Sequence, residues 1–445
     1  MKSLVKTNGV GSRYSKYYSW GKLITITGGA QAIVQAVGLI CGILIVRLLP
    51  TQEYALYTLA NTMLGTMTVL ADGGITSGVM SQGAKVWRDK EKLGSVLVTG
   101  LELRRKFAIG SIIIVTPVLL YLLLRHGATL LSAFLITLSL IPAFLAALSD
   151  SLLEIVPKLH QNIALLQKNQ IAVSLGRLLL NTLMLFAFPF TFIAILANGI
   201  PRIYGNLRLR KIVIQHAATK QAADEEVKKD ILKVVRRIMP SAIYYCFISQ
   251  ISIWLITIFG STTSIAQLGA LGRLGMVMSF FSVLIATLFT PRFARIPEQD
   301  RKLILIRFVQ IFLMIIGLSL LLAGITFFFP TQILFVLGNQ YSNMIHELFL
   351  SVIGSCLGLL VGTLNSLCLS RSYVLSPIVN IGVHVTSQII LILILPLRTT
   401  ENILIFSIID YTVISVMITT NFLYYVYKTT ALPTMPNNKF AGSEA

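Results

Sequence analysis

Apolar residues run in blocks of about 20 between short polar breaks, which is the length a helix needs to cross a hydrocarbon layer. Twelve such blocks predict twelve spans: Leu23 to Val46, Tyr54 to Met80, Phe107 to Leu124, Thr129 to Leu148, Ile171 to Phe188, Phe190 to Tyr204, Ser241 to Phe259, Ile265 to Thr290, Leu303 to Phe327, Ile345 to Leu369, Val374 to Leu395 and Ile403 to Tyr427. The sixth is the shortest and carries Gly199 and Pro201 near its end. The pattern predicts an all-α polytopic membrane protein, with about twelve transmembrane helices in two six-helix bundles around a central cavity.

Polar residues between the blocks set the orientation. Of 37 Lys and Arg, 32 fall in the termini and the even-numbered loops or, for Arg202 and Arg307, at the span ends beside them; the opposite loops hold only Arg47, Arg125 and Arg398. The positive-inside rule puts the basic side, with both termini, in the cytoplasm. The same bias accounts for most of the formal net charge of +20, so no nucleic-acid partner is inferred. The first apolar run is too long for a cleavable signal core, so its basic flank reads as a cytoplasmic anchor.

The longest and most basic connection lies at mid-chain. It predicts a cytoplasmic N-terminal segment at 1–22, a six-helix bundle at 23–204, a basic linker at 205–239, a second bundle at 240–427 and a tail at 428–445. Within the linker Val227, Ile231, Val234 and Ile238 recur at helical spacing, either as an amphipathic helix on the membrane surface or as an extension of the seventh span.

Composition excludes a water-soluble enzyme: 55% of residues are apolar and 12% charged, where a soluble domain carries about 25%. Cys41, Cys246, Cys356 and Cys368 all fall in spans without metal or redox spacing and read as packing residues. There is no nucleotide-binding Gly-Lys-Ser/Thr loop, no clustered His/Cys set and no large outer loop. No catalytic residue, metal or cofactor is expected.

Polar residues recurring every three or four positions within a span mark a face turned to protein or water rather than lipid. The first span carries Gln31, Gln35, Gly38 and Gly42; the fifth Gln170, Ser174, Arg177 and Asn181; the eleventh Ser376, Asn380, His384 and Ser387. Arg177 and Arg273 are charged positions inside spans, and burying each costs roughly 2.5 to 3.5 kcal/mol on insertion scales. Two readings stand side by side. Each guanidinium offers a bidentate fork to phosphate in a cavity, or each pairs with Asp72 or Asp410 or snorkels to an interface. Asp72, Asp410 and the titratable His384 are candidates for a coupling ion, with a structural partner role as the alternative. Arg47 and Glu53 suggest a pair across the first outer turn.

Two segments carry a family resemblance. Arg47-Leu-Leu-Pro50-Thr-Gln-Glu53-Tyr54-Ala-Leu-Tyr57 and Leu70-Ala-Asp72-Gly73-Gly74-Ile resemble motifs of the polysaccharide-export branch of the multidrug/oligosaccharidyl-lipid/polysaccharide superfamily, in particular Wzx-type O-antigen flippases. Ala55 stands where that family usually has Gly. The resemblance implies a bacterial inner-membrane transporter for lipopolysaccharide or related glycans. It would flip an undecaprenyl-pyrophosphate-linked oligosaccharide by alternating access, in company with membrane lipid, glycosyltransferases and a polysaccharide polymerase. Arg177, Arg273, Asn181, Gln31, Gln35 and Asn380 are then the expected substrate-contacting residues. The rival readings are a cation-coupled multidrug antiporter of the same superfamily and a membrane polysaccharide polymerase.

Overall fold

The computed structural model describes residues 10–297, 299–371, 373 and 376–428; the expected tail at 428–445 lies almost wholly outside the described residues. These residues form α-helices and one short 3-10 turn, with no strand among them. In chain order they are α1 (Val10–Leu48), α2 (Thr51–Asp72), α3 (Ile75–Val86), α4 (Lys90–Arg125), α5 (Leu130–Leu153), α6 (Ile155–Leu159), α7 (Ile163–Ala187), α8 (Thr191–Ile214) and α9 (Glu225–Ser249). They continue with α10 (Ile251–Phe259), α11 (Thr262–Leu288), α12 (Thr290–Ala294), α13 (Arg301–Phe328), α14 (Pro330–Leu337), α15 (Ile345–Ser370), α16 (Pro377–Ile394) and α17 (Thr400–Lys428). Among the described residues, eight helices are both long and apolar enough to cross a membrane, or nine if the bent pair α9–α10 is one span. Adding α2, α8 and α16, which are 22, 24 and 18 residues long, accounts for the twelve apolar blocks. The protein is an all-α, multi-pass membrane protein.

Local chemistry sets the ends of these helices. Asp89 accepts from the backbone N–H groups of Glu91 and Lys92 at the start of α4, and Asp224 does the same for Glu226 and Val227 at the start of α9. The second apolar block is not one helix. It breaks after Asp72 because Gly73 and Gly74 take φ of +48° and +100°, a region that side chains with a Cβ avoid. The linker helix is the extension of the seventh span: α9 runs unbroken through Pro240 and bends by 56° into α10 only at Gln250. The third span likewise begins well before Phe107, because α4 is a single helix of 36 residues, roughly 54 Å long. Arg104 therefore lies within a helix and is 2% exposed, although the sequence had placed it in a basic loop.

By their internal contacts the residues divide into two compact units, residues 1–273 with 336–341, and residues 274–335 with 342–445. In the first unit, Ile75, Val79, Leu97, Leu152, Val213 and Ile231 gather α3, α4, α5, α8 and α9 into a buried apolar core. In the second, Phe293, Phe308, Tyr373 and Phe422 form an aromatic core in which Phe308 and Phe422 stack with centroids 3.9 Å apart. Elsewhere the large side chains face outward: Ile113, Leu130, Phe134, Leu179, Leu320 and Leu393 are all more than half exposed, as befits helices whose solvent is lipid.

Candidate functional site

The first unit gathers a polar cluster from α1, α2, α7, α8 and α11. On α7, Arg177 and Asn181 are one turn apart and so share a face. Asn181 is fully buried; its amide donates to Asn198 Oδ1 of α8 at 3.2 Å and to Cys41 Sγ of α1 at 3.4 Å. Asn198 in turn donates to the Tyr57 hydroxyl at 3.3 Å. Tyr54 and Tyr57, three residues apart on α2, stack with centroids 6.0 Å apart.

Arg273 enters from α11. Its Nε donates to the Tyr54 hydroxyl at 3.2 Å, and its guanidinium lies 5.7 Å from the Tyr57 ring centroid, a cation–π distance. Glycine makes this approach possible. A Cβ at Gly269, one turn before Arg273, would sit 2.4 Å from Thr58 Oγ1, and one at Gly42 would sit 3.1 Å from Arg273 Cδ. Small residues at such crossings are how helices come together in lipid, where no hydrophobic force drives them.

Arg177 completes the cluster. Its guanidinium is within electrostatic reach of the same Cys41 and Tyr57 that Arg273 faces, and of the Asp150–Arg202 pair. Its Nε is buried without a hydrogen-bond partner among the described residues. Arg202 meets Asp150 at 3.1 Å, so that acid is already matched. Among the described residues neither Arg177 nor Arg273 forms an ion pair.

Of the carboxylates expected as alternative partners, Asp72 is matched by another arginine. Asp72 forms an ion pair with Arg104 and accepts from the Thr76 hydroxyl at 2.6 Å and the Thr76 N–H at 3.1 Å. Arg104 also donates to the Leu148 carbonyl at 2.5 Å and to the Thr76 hydroxyl at 2.6 Å. Asp72 thus ties α4 to the α2–α3 break. Glu53, expected to pair with Arg47, accepts from the Thr191 N–H at 2.7 Å and hydroxyl at 2.6 Å and so caps α8.

The second unit holds a different cluster. Asp410 of α17 is 4% exposed, accepts from Gln388 of α16 at 3.2 Å and has His384 as its charge neighbour. Its Oδ1 has no hydrogen-bond partner among the described residues. Asn380 is half-buried on α16, one turn before His384. Gln31 and Gln35 are half-buried on α1, roughly 15 and 9 Å along the axis from Cys41, and so stand outside the arginine cluster.

Sequence reasoning missed Tyr54, Tyr57 and Asn198 as members of the site. The i, i+3 spacing of the tyrosines just after Pro50 was in view as a motif, but nothing in it states that the hydroxyls meet an arginine.

No protein-family model matches the sequence, and no curated protein matches it. Solved structures do match in fold. An inward-facing multidrug resistance MATE family transporter of the MOP superfamily aligns with a TM-score of 0.70 at 14% identity, over 90% of this chain and 96% of that one. The lipid II flippase MurJ, in an inward closed conformation, aligns with a TM-score of 0.67 at 13% identity, over 91% and 90%. A MOP superfamily transporter from Pyrococcus furiosus, described as having a binding pocket of reverse polarity that suggests a different function, aligns with a TM-score of 0.55 at 15% identity, over 93% and 95%. The chain has the fold of MOP-superfamily transporters.

Proposed function

We propose that the protein flips a lipid-linked oligosaccharide, carried on undecaprenyl pyrophosphate, across a bacterial inner membrane by alternating access, with both termini in the cytoplasm. The observation that carries this reading is the gathering of Arg177 and Arg273 around Tyr57, Cys41 and Asn181, with neither in an ion pair among the described residues and with Asp150, the acid near Arg177, already held by Arg202. A pyrophosphate brings two or more negative charges into a region that lipid cannot solvate. Two guanidiniums, that of Arg177 with an Nε–H lacking a partner among the described residues, are suited to charge-assisted hydrogen bonds to its oxygens. Tyr54 and Tyr57 hold the Arg273 guanidinium in place, and Asn181 and Asn198 brace Tyr57; Gln31, Gln35 and Asn380 are assigned to the sugar and to the wider passage. The likeness in fold to MurJ, a lipid II flippase, supports a lipid-linked substrate. In this reading glycosyltransferases supply the substrate and a polymerase consumes the product.

Energy enters through the second unit. Asp410, with an unpartnered oxygen beside His384, is assigned to a coupling cation, and Asp72, already matched by Arg104, to structure. A multidrug antiporter is the second reading, favoured by the likeness in fold to MATE transporters and by this same buried acid. Flipping of an undecaprenyl-pyrophosphate oligosaccharide in proteoliposomes separates the two. Arg177→Ala with Arg273→Ala abolishes flipping at normal protein abundance if the proposal holds. Unchanged flipping by the double variant removes it, and export of cationic drugs in place of the lipid favours the antiporter.

A further inference from the structure

A groove of about 680 Å³ lies between α4, α5 and α8 of the first unit, away from the arginine cluster. Its walls are apolar and include Leu101, Ala108, Leu148 and Leu153, with Leu145 and Ile214 47% and 60% exposed at its mouth. Ile109 of α4 and Leu138 of α5, also more than half exposed, continue this apolar surface beyond it. Arg105 and Arg210 line the groove and are exposed, and the buried Arg104 lines it with an Nε that has no hydrogen-bond partner among the described residues. Arg210 Nε donates to Asn206 Oδ1 at 3.0 Å, which fixes the side chain while its terminal amines remain free. The acid lining the groove, Glu102, is already met by Lys106 at 2.8 Å.

We infer that this groove binds an anionic phospholipid from the surrounding bilayer, with its phosphodiester on Arg105 and Arg210 and an acyl chain along Leu145, Leu148 and Leu153. The apolar walls select for a lipid over a free anion, which would leave them wet. The charge balance selects for an anionic head group. A zwitterionic one brings a cation, and the acid on the lining, Glu102, already has Lys106 beside it. Basic grooves between helices at the basic end of a membrane protein are suited to such head groups, each Lys or Arg contributing about 1 kcal/mol.

The test is native mass spectrometry of the full-length protein in detergent, titrated with phosphatidylglycerol or phosphatidylcholine. Phosphatidylglycerol binds in preference, and Arg105→Gln with Arg210→Gln weakens it roughly 30-fold. Leu145→Trp, which fills the mouth without changing charge, also blocks it. Arg88→Gln with Lys92→Gln, removing two charges from the same end but outside the groove, leaves the affinity unchanged. Equal binding of phosphatidylcholine, equal loss in the Arg88/Lys92 variant, full binding by Leu145→Trp, or displacement of the lipid by millimolar inorganic phosphate would each overturn the inference.

Discussion

Two carboxylates within the membrane helices keep different company. Asp72, in the first unit, is held by Arg104 and by the N–H and hydroxyl of Thr76; Asp410, in the second, has one amide donor, a histidine neighbour and an oxygen with no donor among the described residues. The pairing of Asp72 has a second effect. Held by Arg104, Asp72 does not offset Arg177 and Arg273, and the first unit presents a positive cluster. The second unit, where no arginine meets Asp410 among the described residues, presents an acidic one. A sequence count sees two acids and two arginines within spans and reads them as neutral. The structure sorts them by which partner each acid has already found.

The contrast can be broken in several ways. The largest effect is expected at the arginines: replacing both by alanine forfeits two sets of charge-assisted bonds, about 3 to 6 kcal/mol, so transport of an anionic lipid falls more than about 100-fold. Replacing each by lysine keeps the charge, loses the fork and has a smaller effect. Next is Asp72→Asn, which leaves Arg104 buried and unmatched. The low end of the cost of breaking a buried pair, about 3 kcal/mol, applies because Asp72 is 31% exposed, and thermal unfolding in detergent would register it. Pairing it with Arg104→Met should restore much of the loss. Asp410→Asn should leave stability nearly unchanged while removing any dependence of transport on a proton or sodium gradient; retained dependence would end the coupling assignment.

Smaller effects sharpen the picture. Asn181→Ala removes the donor to Asn198 and should cost about 1 to 2 kcal/mol. The smallest lies outside the spans, where His216 stacks on His160 with ring centroids 4.4 Å apart. Burial first, then the neighbouring His160 and Lys90, hold the His216 pKa below its usual value. Its folded-state pKa is thus below the unfolded one, so the unfolded chain binds more protons and stability falls as pH drops through the ordinary histidine range near about 6.5. A melting temperature measured from pH 7.5 to 5.5 should decline, and His216→Gln should flatten that part of the decline.

Much of the fold was written in the sequence because lipid imposes one rule on every span: an apolar run of fixed length with its backbone bonds satisfied inside it. That rule is local, so block lengths revealed it. It does not report where a helix continues into water. Hence α4 and α9 run past their apolar blocks, and the Gly73–Gly74 break hides inside one. The site was legible in part for the same reason. Arg177 and Asn181 share a face by spacing alone, whereas the meeting of Arg273 with Tyr54 depends on how closely α11 approaches α2, which no local pattern encodes. Arg104 was misplaced because it sits between charged neighbours, Glu102 and Arg105; Gly100 and Ala108, one turn to either side, were the clue that its face is buried.

That approach hangs on a residue with no chemistry of its own. Gly269 lets α11 touch Thr58, and any bulk there would push the helix away and carry Arg273 out of reach of both tyrosines. The positive charge of the cluster can therefore be lowered by a single methyl group, with every charged residue left in place. Under the proposed function, homologues that retain the arginine but carry a larger residue at position 269 should hold anionic cargo less well, and a catalogue of charged positions alone would miss them.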